Sequence, residues 1–360
     1  MVAVTASADA QKVGRRRDQV EAPRGRWRVT AIAGTELQGL LSVSPRVQSP
    51  STARRVTSDQ PTNRSSPAAS LHGRFLFHRY TNYDAWNGRL FLYDFGTKQV
   101  SCVSERWGID HAINGNFSPD GRFIVFMGVS PGQHRGGAWD VYLWKVDGRE
   151  RPINLTADLG TRDEDPRFAR DGQRILFKQD GEIRMMDLRT RQISSLPFGG
   201  AKAERSMPLL TSDGKQVVYA EGAGKDMDIF LIDLKSGTRR PLAIEPEVQE
   251  YFPVRLDATR FFYVRWTSRT DHHDQIWVGA LDGRTRGPLR FNQPGSDASD
   301  PYPIDDRLVF FSSTRPGGRG GYDLYLGDRE DGASWSLDSP GINTAHEELG
   351  ASYARGAVKK

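Results

Sequence analysis

A chain of 360 residues, 37% of them hydrophobic, has the apolar material for one large core or two modest ones, while its single cysteine, Cys102, excludes a disulfide framework and a multi-cysteine zinc site. No run approaches the roughly 18 apolar residues that span a bilayer, so no transmembrane segment is expected. The net charge of +5 is lopsided: residues 1–68 hold ten Arg and one Lys against Asp9, Asp18, Glu21, Glu36 and Asp59, about +6, which leaves residues 69–360 near −1 and argues against a folded nucleic-acid-binding surface.

The first 68 residues are rich in Ser, Pro, Thr, Ala and Arg, as in SVSPRVQSPSTARRVTSDQPTNRSSPAAS, with too few large apolar groups to offset the entropy of ordering. They are expected to form a disordered tail, in which Arg15, Arg16, Arg17, Arg24, Arg26 and Arg28 are solvated charges. Val29–Val43 follows these arginines and is moderately apolar, as the core of an export signal would be, but Glu36 interrupts it and it begins far from Met1. It reads as a degenerate signal region.

From residue 69 onward the chain repeats itself. Leu71-His72-Gly73 leads into RFLFHRY and GRLFLYDFGTK. SPDGRFIVF (Asp120-Gly121) follows, then ARDGQRILF (Asp171-Gly172), TSDGKQVVY (Asp213-Gly214), RLDATRFFY (Asp257-Ala258) and IDDRLVFF (Asp305-Asp306), at spacings of 42 to 51 residues. Each turn is followed by an alternating strand that ends in a tight polar turn (WDVYLWKVDG, GEIRMMDLRTR, MDIFLIDLKSG, DQIWVGALDG, YDLYLGDREDG). Four of the turns are preceded by a short acidic or proline-containing element: EDPRF, RSMPLL, EYFPV and SDPYP.

About four short strands per unit, with no helical periodicity between them, define an all-β fold, a β-propeller of four-stranded blades. The count closes at six. The first unit lacks an inner strand, and EELGASYARGA (Glu347–Ala357) supplies one with no unit after it. The C-terminal strand is therefore expected beside Arg74–Arg79, closing the ring and removing its free edges. The domain boundaries expected are 1–68 for the tail and 69–360 for the propeller.

The S-P-D-G turn, the D-[IVL]-[YFW]-L strand and the SSTRPGGRGGYDLYLGD form of the last unit resemble the repeats of TolB-type propellers, the family of the periplasmic protein that works with the Pal lipoprotein. The resemblance covers about Ala69–Ala357. It implies a six-bladed propeller, a protein partner and a periplasmic or extracellular location, and it carries no counterpart here of TolB's N-terminal α/β domain. Related repeats occur in prolyl-oligopeptidase-like peptidases and some polysaccharide lyases, but no Ser/His/Asp hydrolase module follows in this chain.

Propeller topology puts the short, monotonous turns on one face and the variable loops on the other, where binding is expected. The binding-face candidates are His78, Tyr80, Tyr83, His111, Arg265, Trp266, His272, His273, Arg315 and His346. Aromatic and Arg groups suit a protein or glycan partner. A scaffold for such a partner, monomeric and non-catalytic, is the expected function. The alternative is a lyase acting on acidic polysaccharides, with His111, Tyr80, Arg265 and His272 as the groups that abstract a proton beside a neutralised uronate carboxylate. Carboxylates near the starts of the inner strands, Glu164, Asp165, Glu250, Asp300 and Glu348, are candidate ligands for a Ca²⁺ in the central channel, since that ion takes six to eight oxygens.

Overall fold

The computed structural model describes residues 65–133, 138–199, 203–223 and 226–356. Its strands form six four-stranded antiparallel sheets, one per repeat. Blade 1 holds β1 (Gly73–Tyr80), β2 (Arg89–Asp94) and β3 (Gln99–Cys102). Blade 2 holds β4 (His111–Phe117), β5 (Phe123–Val129), β6 (Asp140–Lys145) and β7 (Ile153–Asn154), and blade 3 holds β8 (Asp163–Phe168), β9 (Arg174–Gln179), β10 (Glu182–Asp187) and β11 (Ile193–Ser195). Blade 4 is β12 (Arg205–Leu210), β13 (Gln216–Ala223), β14 (Asp226–Asp233) and β15 (Arg239–Ala243); blade 5 is β16 (Glu250–Arg255), β17 (Arg260–Trp266), β18 (Asp274–Ala280) and β19 (Arg286–Pro288). Blade 6 is β20 (Ala298–Pro303), β21 (Leu308–Ser313), β22 (Asp323–Asp328) and β23 (Ser334–Ser336), after which β24 (Glu347–Arg355) pairs with β1 as the innermost strand of blade 1.

The ring is therefore six-bladed and closed by the C-terminal strand, as the repeats predict. Closure brings the two ends of the propeller into contact: the Gly356 amide donates to the His72 carbonyl at 3.1 Å. Gly73 has φ of 114°, and a Cβ there would lie 2.2 Å from the Ala354 carbonyl oxygen, so the crossing requires glycine.

Side chains on both faces of most sheets are buried between neighbouring blades, which is why strands such as β12 and β22 are buried at every position. Each of the six inter-blade seams has its own apolar cluster, for example Val218 and Ile229 against Phe261 and Tyr263 between blades 4 and 5. At the seam that closes the ring, Phe75 and Phe77 of blade 1 meet Phe310 and Leu324 of blade 6.

The repeated aspartates have a local task. Asp120 accepts from the Ser118 hydroxyl at 2.6 Å and the Arg122 amide at 3.1 Å, with Gly121 at φ of 71°, and Asp94, Asp187 and Asp233 accept two backbone amides each at the other tight turns. These turns share one face. Among the described residues no helix is long and apolar enough to cross a membrane. Pro67–Ser70 forms a single 3-10 turn that Ser66 caps. The expected tail, with its arginines and the apolar stretch at 29–43, lies outside the described residues up to residue 64.

Candidate functional site

Each inner strand breaks its ladder at the same place. The register shifts at a β-bulge whose central residue has a left-handed backbone: Asn114, Asp165, Met207, Phe252, Asp300 and Gly350, all with φ between 49° and 69°. In four blades proline follows: Pro166, Pro208, Pro253 and Pro301. A left-handed backbone is costly for Met and Phe, and its repetition around the ring marks the channel's waist as a built feature. The side-chain amide of Asn114 donates to Asp165 at 3.3 Å across the waist. Gly350 is obligatory, since a Cβ there would lie 2.6 Å from His78 Nδ1.

Above the waist, toward the variable loops, the sequence-selected residues of blades 1 and 2 gather into one packed cluster. Tyr80, Ile113, Trp139, Tyr322 and Leu349 are buried together, with Tyr83 and Trp86 against them. His111 is fully buried at its centre, its ring 5.3 Å from that of Trp139, 5.5 Å from Trp86, 5.8 Å from Tyr83 and 6.1 Å from Tyr80. The Gly88 amide donates to His111 Nδ1 at 2.7 Å, which puts the ring proton on Nε2. Burial, and secondarily Arg89, lowers its pKa to about 4; burial, and secondarily His111, lowers that of His78 to about 3. Both rings stay neutral.

The other selected residues stand apart. Arg265, in blade 5 and three blades from His111, is buried, pairs with Glu245 at 2.9 Å and lies 4.5 Å over the Trp277 ring. Trp266 stacks on exposed His272 with centroids 4.0 Å apart, and His273 contacts Asp271 at 2.5 Å. Arg315 is sandwiched 4.7 Å from Phe311 and from Tyr325 and donates to the Phe291 carbonyl, which makes it a packing residue of blade 6. His346 is exposed on the loop before β24.

Of the five carboxylates expected to hold Ca²⁺, two are already ion-paired. Glu164 is held by Arg162 at 2.7 Å and Lys178 at 3.3 Å, and Glu348 by Arg79 at 2.6 Å. Among the described residues, no three His, Cys, Asp or Glu side chains gather to hold a metal ion. Asp165, Asp300 and Glu250 instead share an elevated pKa. Burial raises Asp300 to about 6; burial, with the charge of Glu164, raises Asp165 to about 6. Burial also carries Glu250 to about 8, against the charge of Arg265 and with that of Asp228.

Sequence reasoning missed two groups. One is a buried acid pair in which the Tyr251 hydroxyl donates to Asp274 at 2.5 Å, while the Asp274 amide donates to Asp297 at 2.8 Å. Its signal was present, because Asp274 opens the DQIW strand, but that motif reads as fold. The other is a cavity of about 460 Å³ at the opposite, turn-face end of the channel, lined among others by Arg167, Arg170, Arg255 and Arg355. No repeat marks these arginines.

No protein-family model matches the chain, and no curated protein does. Among solved structures it is similar to TolB from Acinetobacter baumannii, at 20% identity over 78% of this chain and 66% of that one, with a TM-score of 0.59. It is also similar to a TolB from Agrobacterium tumefaciens (16% identity, 79% and 99% covered, TM-score 0.54) and to Kuenenia stuttgartiensis hydrazine synthase (14%, 80% and 48%, 0.59). At these identities the likeness is one of fold. The chain resembles TolB-type β-propellers over its described blades.

Proposed function

We propose that this propeller is a non-catalytic scaffold that presents its variable-loop face and channel mouth to a glycan or protein partner. The observation that carries this reading is the condition of the four candidate lyase groups. A lyase needs a base with a free lone pair beside an arginine that neutralises the substrate carboxylate. His111 Nδ1 already accepts an amide, its ring is sealed under Trp86 and Trp139, and Tyr80 is pushed far above its ordinary pKa by burial. Arg265 is committed to Glu245, and His272 to a stack with Trp266. What this face leaves to a partner is the Trp266–His272 platform, with Arg269 and Glu247 paired at 3.1 Å nearby, an aromatic and charged surface of the kind that holds sugars or protein side chains.

The test is a glycan array probed with the full chain and with Trp266→Ala, beside incubation with acidic polysaccharides monitored for unsaturated uronate absorbance. Binding weakened about tenfold or more by Trp266→Ala, as for loss of an aromatic anchor, with no unsaturated product, is expected. Unsaturated product, or binding indifferent to Trp266→Ala, overturns the reading.

A further inference from the structure

We propose that the cavity at the turn-face end of the channel binds a small organic polyanion, one carrying two or more carboxylate or phosphate groups on a partly apolar body. This site is distinct from the variable-loop face and does not depend on that face's role. Its volume of about 460 Å³ falls in the range of small-molecule pockets, roughly 300 to 1,000 Å³.

The charge in it is unbalanced. Arg167 and Arg170 come from blade 3, Arg255 from blade 5 and Arg355 from blade 1, so guanidinium groups approach from three alternate blades of the ring. Among the described residues none of the four has a carboxylate at salt-bridge distance, whereas Arg74, Arg79, Arg122, Arg205, Arg260 and Arg307 are all paired elsewhere. The acid on the cavity wall, Asp120, is occupied by Ser118 and by Arg122 at 2.6 Å. Asp165 and Asp300 attract Arg167 from deeper in the channel.

Like charges converging on one half-open cavity repel one another, and a counter-charge that enters it relieves that cost. Arg255 shows that cost: it donates to the Leu210 carbonyl, but its Nε is buried without a partner, and burial together with the repulsion of Arg170 lowers its pKa. The planar fork of a guanidinium matches carboxylate and phosphate oxygens. Tyr302 and Val254 give the same cavity an apolar wall, which a bare inorganic ion would leave unused.

Calorimetric titration of the full chain at low salt with citrate and, separately, with pyrophosphate tests the proposal. At least one is expected to bind, and whichever binds tells a carboxylate ligand from a phosphate one. Arg170 and Arg355 are exposed, so Arg170→Gln with Arg355→Gln should fold with a melting temperature no lower than the parent's, since it relieves repulsion, while weakening binding about tenfold or more. Arg255→Lys, which keeps the charge and loses the fork, should weaken it less. Trp266→Ala should leave anion binding unaltered, and the arginine variants should leave glycan binding unaltered. Binding of neither probe, or equal affinity in the folded Arg170→Gln/Arg355→Gln protein, overturns the proposal.

Discussion

The turn face and the channel with its variable-loop side treat the same chemical group in opposite ways. At the turn end, Asp94, Asp187 and Asp233 are held below the usual carboxylate range by backbone amides, foremost those of Thr97, Thr190 and Ser236, and Asp120 and Asp213 by the hydroxyls of Ser118 and Thr211. Along the channel and toward the variable loops, Asp163, Asp165, Asp274, Asp300 and Glu250 are all raised, first by burial. Turn carboxylates are thus stabilised as charges by backbone amides and turn hydroxyls, whereas these five lose water and gain too few donors to replace it; Glu164, buried beside them but held by Lys178 and Arg162, is lowered instead. The first arrangement builds a blade and repeats. The second is assembled from different residues in each blade.

The largest disruption should come from the seam that both regions share. Deleting residues 347–360 removes β24, exposes the edge of β1 and opens the cluster around Phe75 and Phe310. Size-exclusion chromatography and thermal melting are expected to show aggregation or a melt far below that of the parent; an unchanged monomer would mean that the ring does not need its last strand. Gly350→Val comes next. It meets His78 Nδ1 and a φ of 69° together, and should cost about 3 kcal/mol or more by urea unfolding.

The pH dependence of stability separates the two regions directly. A raised carboxylate gives its full contribution below the ordinary pKa near 4 and loses it as pH climbs through the folded value, here about 6 for Asp163, Asp165 and Asp300, about 7 for Asp274 and about 8 for Glu250. His78 and His111, lowered to about 3 and 4, act in the other direction: they stabilise above pH 6.5 and lose that contribution as pH falls below it. Five carboxylates outnumber two histidines. Stability should therefore peak near pH 4, where the unfolded carboxyls titrate, and fall from there toward pH 8, and Glu250→Gln with Asp274→Asn should flatten that decline. A parent protein as stable at pH 8 as at pH 5 would show that these carboxyls are hydrated. A smaller effect belongs to Tyr251→Phe, which takes the hydroxyl donor from buried Asp274 and should cost about 1 to 3 kcal/mol, less at pH 5 than at pH 8.

Legibility in the sequence follows the same division. The six blades and their closure could be read because Asp120, Asp171 and Asp213 do one job at spacings of 42 to 51 residues, and because the strand at Glu347 completes the first unit. The waist left a trace, the proline after Asp165, Met207, Phe252 and Asp300, that looked like strand punctuation until the left-handed residue before each was seen. His111 was singled out as a binding-face residue, but nothing in GIDHAINGNF says that Trp86 and Trp139 cover it, since those contacts cross loops and blades. The arginines of the turn-face cavity were invisible for a related reason: Arg167, Arg255 and Arg355 occupy different positions of different repeats, and only the ring brings them together.

The smallest expected effect is at the turn end, where Asp120→Asn tests the other half of the comparison. Asp120 is exposed, its carboxylate accepting from Ser118 and Arg122, with a pKa lowered to about 2 chiefly by the Ser118 hydroxyl. A depressed carboxylate contributes above pH 4 and loses its contribution as pH falls toward 2, the reverse of the channel acids. Asparagine keeps an acceptor for Ser118 and for the Arg122 amide but loses the ion pair, which at an exposed site is worth a few tenths of a kcal/mol. The variant should melt within about a degree or two of the parent at pH 7, should lose less than the parent between pH 4 and pH 2.5, and should leave the decline toward pH 8 untouched. A change in the alkaline limb would mean that the turn communicates with the channel acids, and the two regions could no longer be treated as independent.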